Sequence, residues 1–71
     1  MKYLYLKFAL NGQLLHTKGS APCTEEAFQK GIFSEKYIEE CAYCYIYSYM
    51  EVKHLEGKPK LVYWTFEHIY D

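Results

Sequence analysis

The sequence predicts an α+β fold of order ββαββ: one four-stranded antiparallel sheet with short helical segments packed on one face. Three observations point there. Residues 2–10 alternate apolar and polar positions and end at Asn11-Gly12. A capped, acidic stretch begins at Thr24. Two further runs, Tyr43–Tyr49 and residues 60–70, are rich in the aromatic and β-branched types that suit a pleated surface.

The first hairpin is the clearest element. Leu4, Leu6, Phe8 and Leu10 share one face of a strand, while Tyr3, Tyr5 and Lys7 share the other. Asn-Gly tolerates the positive φ angles of a two-residue type I′ turn. Such a turn sets Leu10 opposite Gln13, Lys7 opposite His16, Phe8 opposite Leu15 and Leu6 opposite Thr17. Residues 19–23, "GSAPC", then break the pattern.

Thr24 is placed to cap a helix, because its hydroxyl can accept from a free first-turn amide. Glu25 and Glu26 suit the positive end of that helix, and Gly31 can close it in the left-handed conformation. Ser34 offers a second cap. The stretch reads as two short helices or as one bent at Gly31, with Phe28, Ile32, Phe33, Tyr37 and Ile38 as its packing face.

Residues 41–53 fit two patterns. As a strand, Tyr43, Tyr45, Tyr47 and Tyr49 share one face, with Ala42, Cys44, Ile46, Ser48, Met50 and Val52 on the other. As a helix capped by Ser34 and ended by Gly57, the aligned set is Tyr37, Ile38, Cys41, Ala42, Tyr45, Ile46, Tyr49 and Met50. Tyr and Ile favour strands, and a helix would leave Tyr43 and Tyr47 bare, so the strand is preferred. A turn at Glu56-Gly57 would then pair Tyr49 with Trp64, Tyr47 with Phe66, Tyr45 with His68 and Tyr43 with Tyr70. The product is a cross-strand aromatic ladder.

Size and composition bound the function. Seventy-one residues make one domain, and chains of about 60–70 residues bury only about 60% of their unfolded surface. Nine Tyr, four Phe and one Trp are hard to hide in so small a body. An excess of exposed rings points to a binding surface. Net charge is −1 and lacks an overall basic face, which makes nucleic acid an unlikely partner. No apolar run is long enough to span a membrane. The opening "MKYLYLKFAL" reads as a strand rather than a signal peptide, since Lys7 interrupts it. Three cysteines, an odd number, fit a reducing cytoplasm better than a disulfide framework.

No grouping of residues fixes a reaction. Cys41 and Cys44 form a C-x-x-C, but on a strand they face opposite ways, and there is no second such pair. The three histidines are scattered, and Glu39-Glu40 diverge by about 100° on a helix. No catalytic residue, metal site or cofactor is expected, and the chain reads as non-enzymatic. By analogy of size and composition, tiny cytosolic domains without catalytic residues generally act by occupying a surface on something larger, and phage and mobile elements encode many such proteins.

The expectation is therefore a protein-binding module, an inhibitor that blocks a larger host protein being one form of it. The candidate contact residues are Tyr43, Tyr45, Tyr47, Tyr49, Trp64, Phe66, Glu35 and Glu39. A homodimer through a sheet edge or the aromatic face is a further option. The alternative is a single-strand nucleic-acid binder that stacks bases on the ladder, and a small zinc-stabilised domain is the third reading.

Overall fold

The computed structural model describes residues 2–68. Strand β1 (Lys2–Leu10) turns at Asn11-Gly12 into β2 (Gln13–Ser20). Helix α1 (Glu25–Gln29), helix α2 (Glu35–Lys53) and strand β3 (Lys60–His68) follow. The sheet has three strands in the order β2-β1-β3, with both pairings antiparallel. The four-stranded ββαββ arrangement expected from the sequence is therefore incorrect. Among the described residues there is no C-terminal hairpin. The helical segment carries the chain over β1, and β3 pairs with the far side of that strand.

The first hairpin follows its sequence signals. Asn11 and Gly12 have φ of 51° and 80°, as a type I′ turn requires. Leu10 faces Gln13, Phe8 faces Leu15, Lys7 faces His16 and Leu6 faces Thr17. The Thr24 hydroxyl accepts from the Ala27 amide, and the Ser34 hydroxyl accepts from the Tyr37 amide. Gly31 closes α1 at φ 79°; its amide reaches the Phe28 carbonyl, and the Ile32 amide reaches that of Ala27. This is a Schellman closure.

Residues 41–53 form the greater part of α2, not a strand. Ile38, Ala42, Ile46 and Met50 recur every four residues and are all buried. They meet Leu4, Leu6, Phe8 and Leu10 of β1, which are also buried. Fully burying each large apolar side chain contributes about 1.5–3 kcal/mol. The helix penalty of Tyr, Ile and Val is at most about 0.7 kcal/mol per residue. Packing therefore outweighs propensity.

The objection that a helix strands two tyrosines holds only for one. Tyr43 is half-buried against the core, and Tyr47 is 55% exposed. The expected packing face is also narrower than read: Phe28 and Ile38 pack inward, whereas Ile32 and Tyr37 are exposed.

The expected pairing of Tyr43, Tyr45, Tyr47 and Tyr49 with the last strand does not form, because β3 takes β1 as its partner. Leu4 faces Phe66, Leu6 faces Trp64 and Phe8 faces Leu61. Val62 is the extra residue of a bulge, since Lys7 faces Tyr63. Ile69 and Tyr70, read from sequence as the end of the last strand, lie outside the described residues. Gly57 (φ 127°) belongs to the loop joining α2 and β3, not to a hairpin turn.

Candidate functional site

The expected contact residues scatter when the ladder becomes a helix. Trp64 and Phe66 lie on the covered side of the sheet, where Phe28 of α1 packs edge-on to Trp64 at 5.3 Å and tilted to Phe66 at 6.0 Å. Both rings pack against the core. The tyrosines of α2 divide around the helix.

Tyr43 leans toward β3, where its hydroxyl accepts from the Leu61 amide at 3.0 Å. Its ring is 6.4 Å from that of the exposed Tyr47. Tyr45 and Tyr49 lean the other way. Tyr45 covers Gly19 so closely that a Cβ there would lie 2.7 Å from the ring, and its hydroxyl donates to the Ser20 carbonyl. Tyr49 packs edge-on to Phe8 at 5.8 Å. Of the four tyrosines between 43 and 49, three are thus structural struts, and Tyr47 is left facing outward.

Glu35, Glu39 and Trp64 do converge. With Leu61, Val62 and Tyr63 they line a cleft of about 320 Å³ between the start of α2 and β3. The two carboxylates stand one helical turn apart on one face. Val62 and Tyr63, 57% and 49% exposed, add apolar surface. Ligand pockets typically hold about 300–1,000 Å³, so this cleft is sized for a side chain or two. Carboxylates beside an indole ring suit a cation with an apolar stem, such as a lysine or arginine side chain.

A second surface lies on the opposite, uncovered face of the sheet, and the sequence reading missed it. The alternation of β1 gave a partial signal, since it set Tyr3, Tyr5 and Lys7 away from the core. The pairing supplies the rest. Tyr5 has Lys18 on one side and Thr65 on the other, and Lys7 lies between His16 and Tyr63. The Tyr5 and His16 rings are 5.9 Å apart. Lys7 Nζ lies 6.0 Å from the Tyr63 ring centre, and Lys18 Nζ lies 6.0 Å from that of Tyr3.

The sulfur-bearing residues occupy neither surface. Cys41 is half-buried and Cys44 exposed on α2, so the strand argument that set them on opposite faces does not apply. Cys23, also half-buried, has its thiol pKa raised by burial, with a smaller contribution from Cys41. Among the described residues no group of three or more His, Cys, Asp or Glu is placed to hold a metal ion.

Comparison with protein families, curated proteins and solved structures finds no match for this chain. No helix among the described residues is long and apolar enough to cross a membrane.

Proposed function

We propose that this is a non-enzymatic protein-binding module that docks a basic side chain of a larger protein in the cleft between α2 and β3. The observation that carries the reading is the meeting of Glu35 and Glu39 with Trp64 in one cleft. A lysine or arginine entering there pairs with two carboxylates while its stem covers apolar surface. Rim charges of this kind set partner choice and association rate more than raw affinity. A cytoplasmic setting, where the free thiols stay reduced, and a role in blocking the partner by occupying its surface belong to the same proposal.

The test is capture of a partner from a host lysate by the tagged wild-type chain and by the Glu35→Lys/Glu39→Lys double variant. Both positions are exposed, so the variant keeps its far-ultraviolet circular dichroism. The proposal expects a partner held at low salt, lost from the double variant and retained by Glu26→Lys on α1. A partner indifferent to the double reversal removes the cleft from the reading. Failure to capture any protein removes the protein-binding reading itself.

A further inference from the structure

The uncovered sheet face differs in chemistry from the rest of the surface. The helical layer leans acidic: α2 carries Glu35, Glu39, Glu40 and Glu51 against Lys36 and Lys53, and α1 carries Glu25 and Glu26 with Lys30 at its C-cap. On the uncovered face the strand register places three lysines, Lys7, Lys18 and Lys60, against one carboxylate, Glu67. That carboxylate is drawn toward Lys18, whose Nζ lies 3.5 Å away. The pair is part-exposed on both sides, and such surface pairs exchange readily for another anion. A net charge of −1 for the whole chain therefore conceals a locally basic face.

The rings on this face are arranged, not merely present. Tyr3 and Tyr5 follow one another on the central strand, about 7 Å apart from the rise of a strand. His16 and Tyr63 flank Lys7 one row further along. A core would bring apolar aliphatic residues to such positions. Here rings alternate with ammonium groups, and Lys7 and Lys18 each lie within reach of a neighbouring π face.

We infer that this face is a platform for single-stranded nucleic acid. An unpaired base has two π faces, which tyrosine and histidine rings can stack on. The phosphate that joins it to the next base is an anion, which Lys7, Lys18 and Lys60 can meet. Bases stacked on aromatic rings beside a cationic track are how sheet surfaces bind single strands without reading sequence. A duplex hides its base faces and leaves the rings unused. An acidic protein segment satisfies the lysines but not the rings. The inference concerns the sheet face behind the cleft, the two sharing only Tyr63 of β3, and Tyr5, which lies outside the cleft, tests it independently of the protein-binding proposal.

The experiment is fluorescence anisotropy with a labelled ten-nucleotide oligothymidine, compared with the same sequence as a duplex and with oligoglutamate as an anionic competitor. Binding of the single strand at low salt is expected. With at most three lysines engaged, the slope of log affinity against log salt is about −2. Tyr5→Ala and Tyr63→Ala each weaken binding about 5- to 150-fold, while Tyr5→Phe and Tyr63→Phe hold it near wild type. The Phe variants keep the ring and the fold, so a loss seen only with Ala belongs to stacking.

Glu35→Lys/Glu39→Lys leaves this binding in place, which separates it from the cleft. The inference is overturned by no binding at low salt, by equal binding of the duplex, by full displacement with oligoglutamate at matched charge, or by Ala variants that bind like wild type. Sedimentation at the same concentration showing a dimer that Tyr5→Ala dissolves also overturns it, because a second copy then covers the face.

Discussion

Gly19 and Tyr45 show how one residue constrains another across the fold. The ring of Tyr45 lies flat on the backbone of β2, and only glycine leaves room for it. Gly19→Ala must push the ring away from β2 and disturb its hydrogen bond to the Ser20 carbonyl. The expected cost is about 1–3 kcal/mol, the usual range for overpacking, read as a lower midpoint in urea.

Tyr45 also makes stability depend on alkali. Burial first, and then Cys41, Cys44 and Tyr37, raise its hydroxyl pKa above the ordinary tyrosine value. The folded chain thus holds this proton to higher pH than the unfolded chain does. Its contribution is complete below the ordinary value of about 10 and is lost as pH rises through the folded value. Tyr45→Phe is expected to lower stability at pH 7 by about 1 kcal/mol through the lost hydrogen bond. The same variant should show a shallower decline above pH 10, measured as urea midpoints across the alkaline range.

The elements of this fold differ in how plainly they are written. The first hairpin was legible to the register because both of its determinants are local: a period-two pattern and an Asn-Gly turn. Thr24, Gly31 and Ser34 were legible for the same reason. Helix α2 was not, since its two readings differ only in what lies opposite. Tyr43 to Tyr49 alternate like a strand, while Ile38, Ala42, Ile46 and Met50 repeat like a helix. The deciding term is the apolar face of β1, some forty residues away. Once α2 was misread, β3 lacked its true partner, and the cleft formed by Glu35, Glu39 and Trp64 could not be assembled even though all three had been singled out.

The end of α2 offers a separate test. His54 closes it in the left-handed conformation at φ 56°, with its amide bonded to the Glu51 carbonyl and that of Leu55 to Met50. Glycine takes this position without a Cβ penalty, whereas other L-residues incur roughly 1–2 kcal/mol. His54 is exposed, so little packing opposes the change. His54→Gly is expected to stabilise the fold by up to about 1 kcal/mol, read as a higher thermal midpoint.

At the scale of the molecule, one layer of helix on one layer of sheet makes a single core, with eight buried hydrophobic side chains among the described residues. Among the described residues that economy leaves the other sheet face, with Tyr5, Lys7 and Tyr63, without a second layer over it. It also leaves no reserve. Typical stability is about 0.05–0.15 kcal/mol per residue, or roughly 4–11 kcal/mol for a chain of this length. Ile46 is fully buried near the middle of α2, within the cluster that includes Leu6 and Phe8 of β1. Truncating such a side chain to alanine costs about 2–5 kcal/mol, a large share of the total. Because β2 and β3 each take their strand pairing from β1, and β1 is held by α2, no part can persist when that core fails. Ile46→Ala is therefore expected to lower the thermal midpoint by more than about 10 °C, with helix and sheet signals lost together. If the sheet signal survives after the helix signal has gone, the three strands have a stability independent of α2 and the single-core description is wrong.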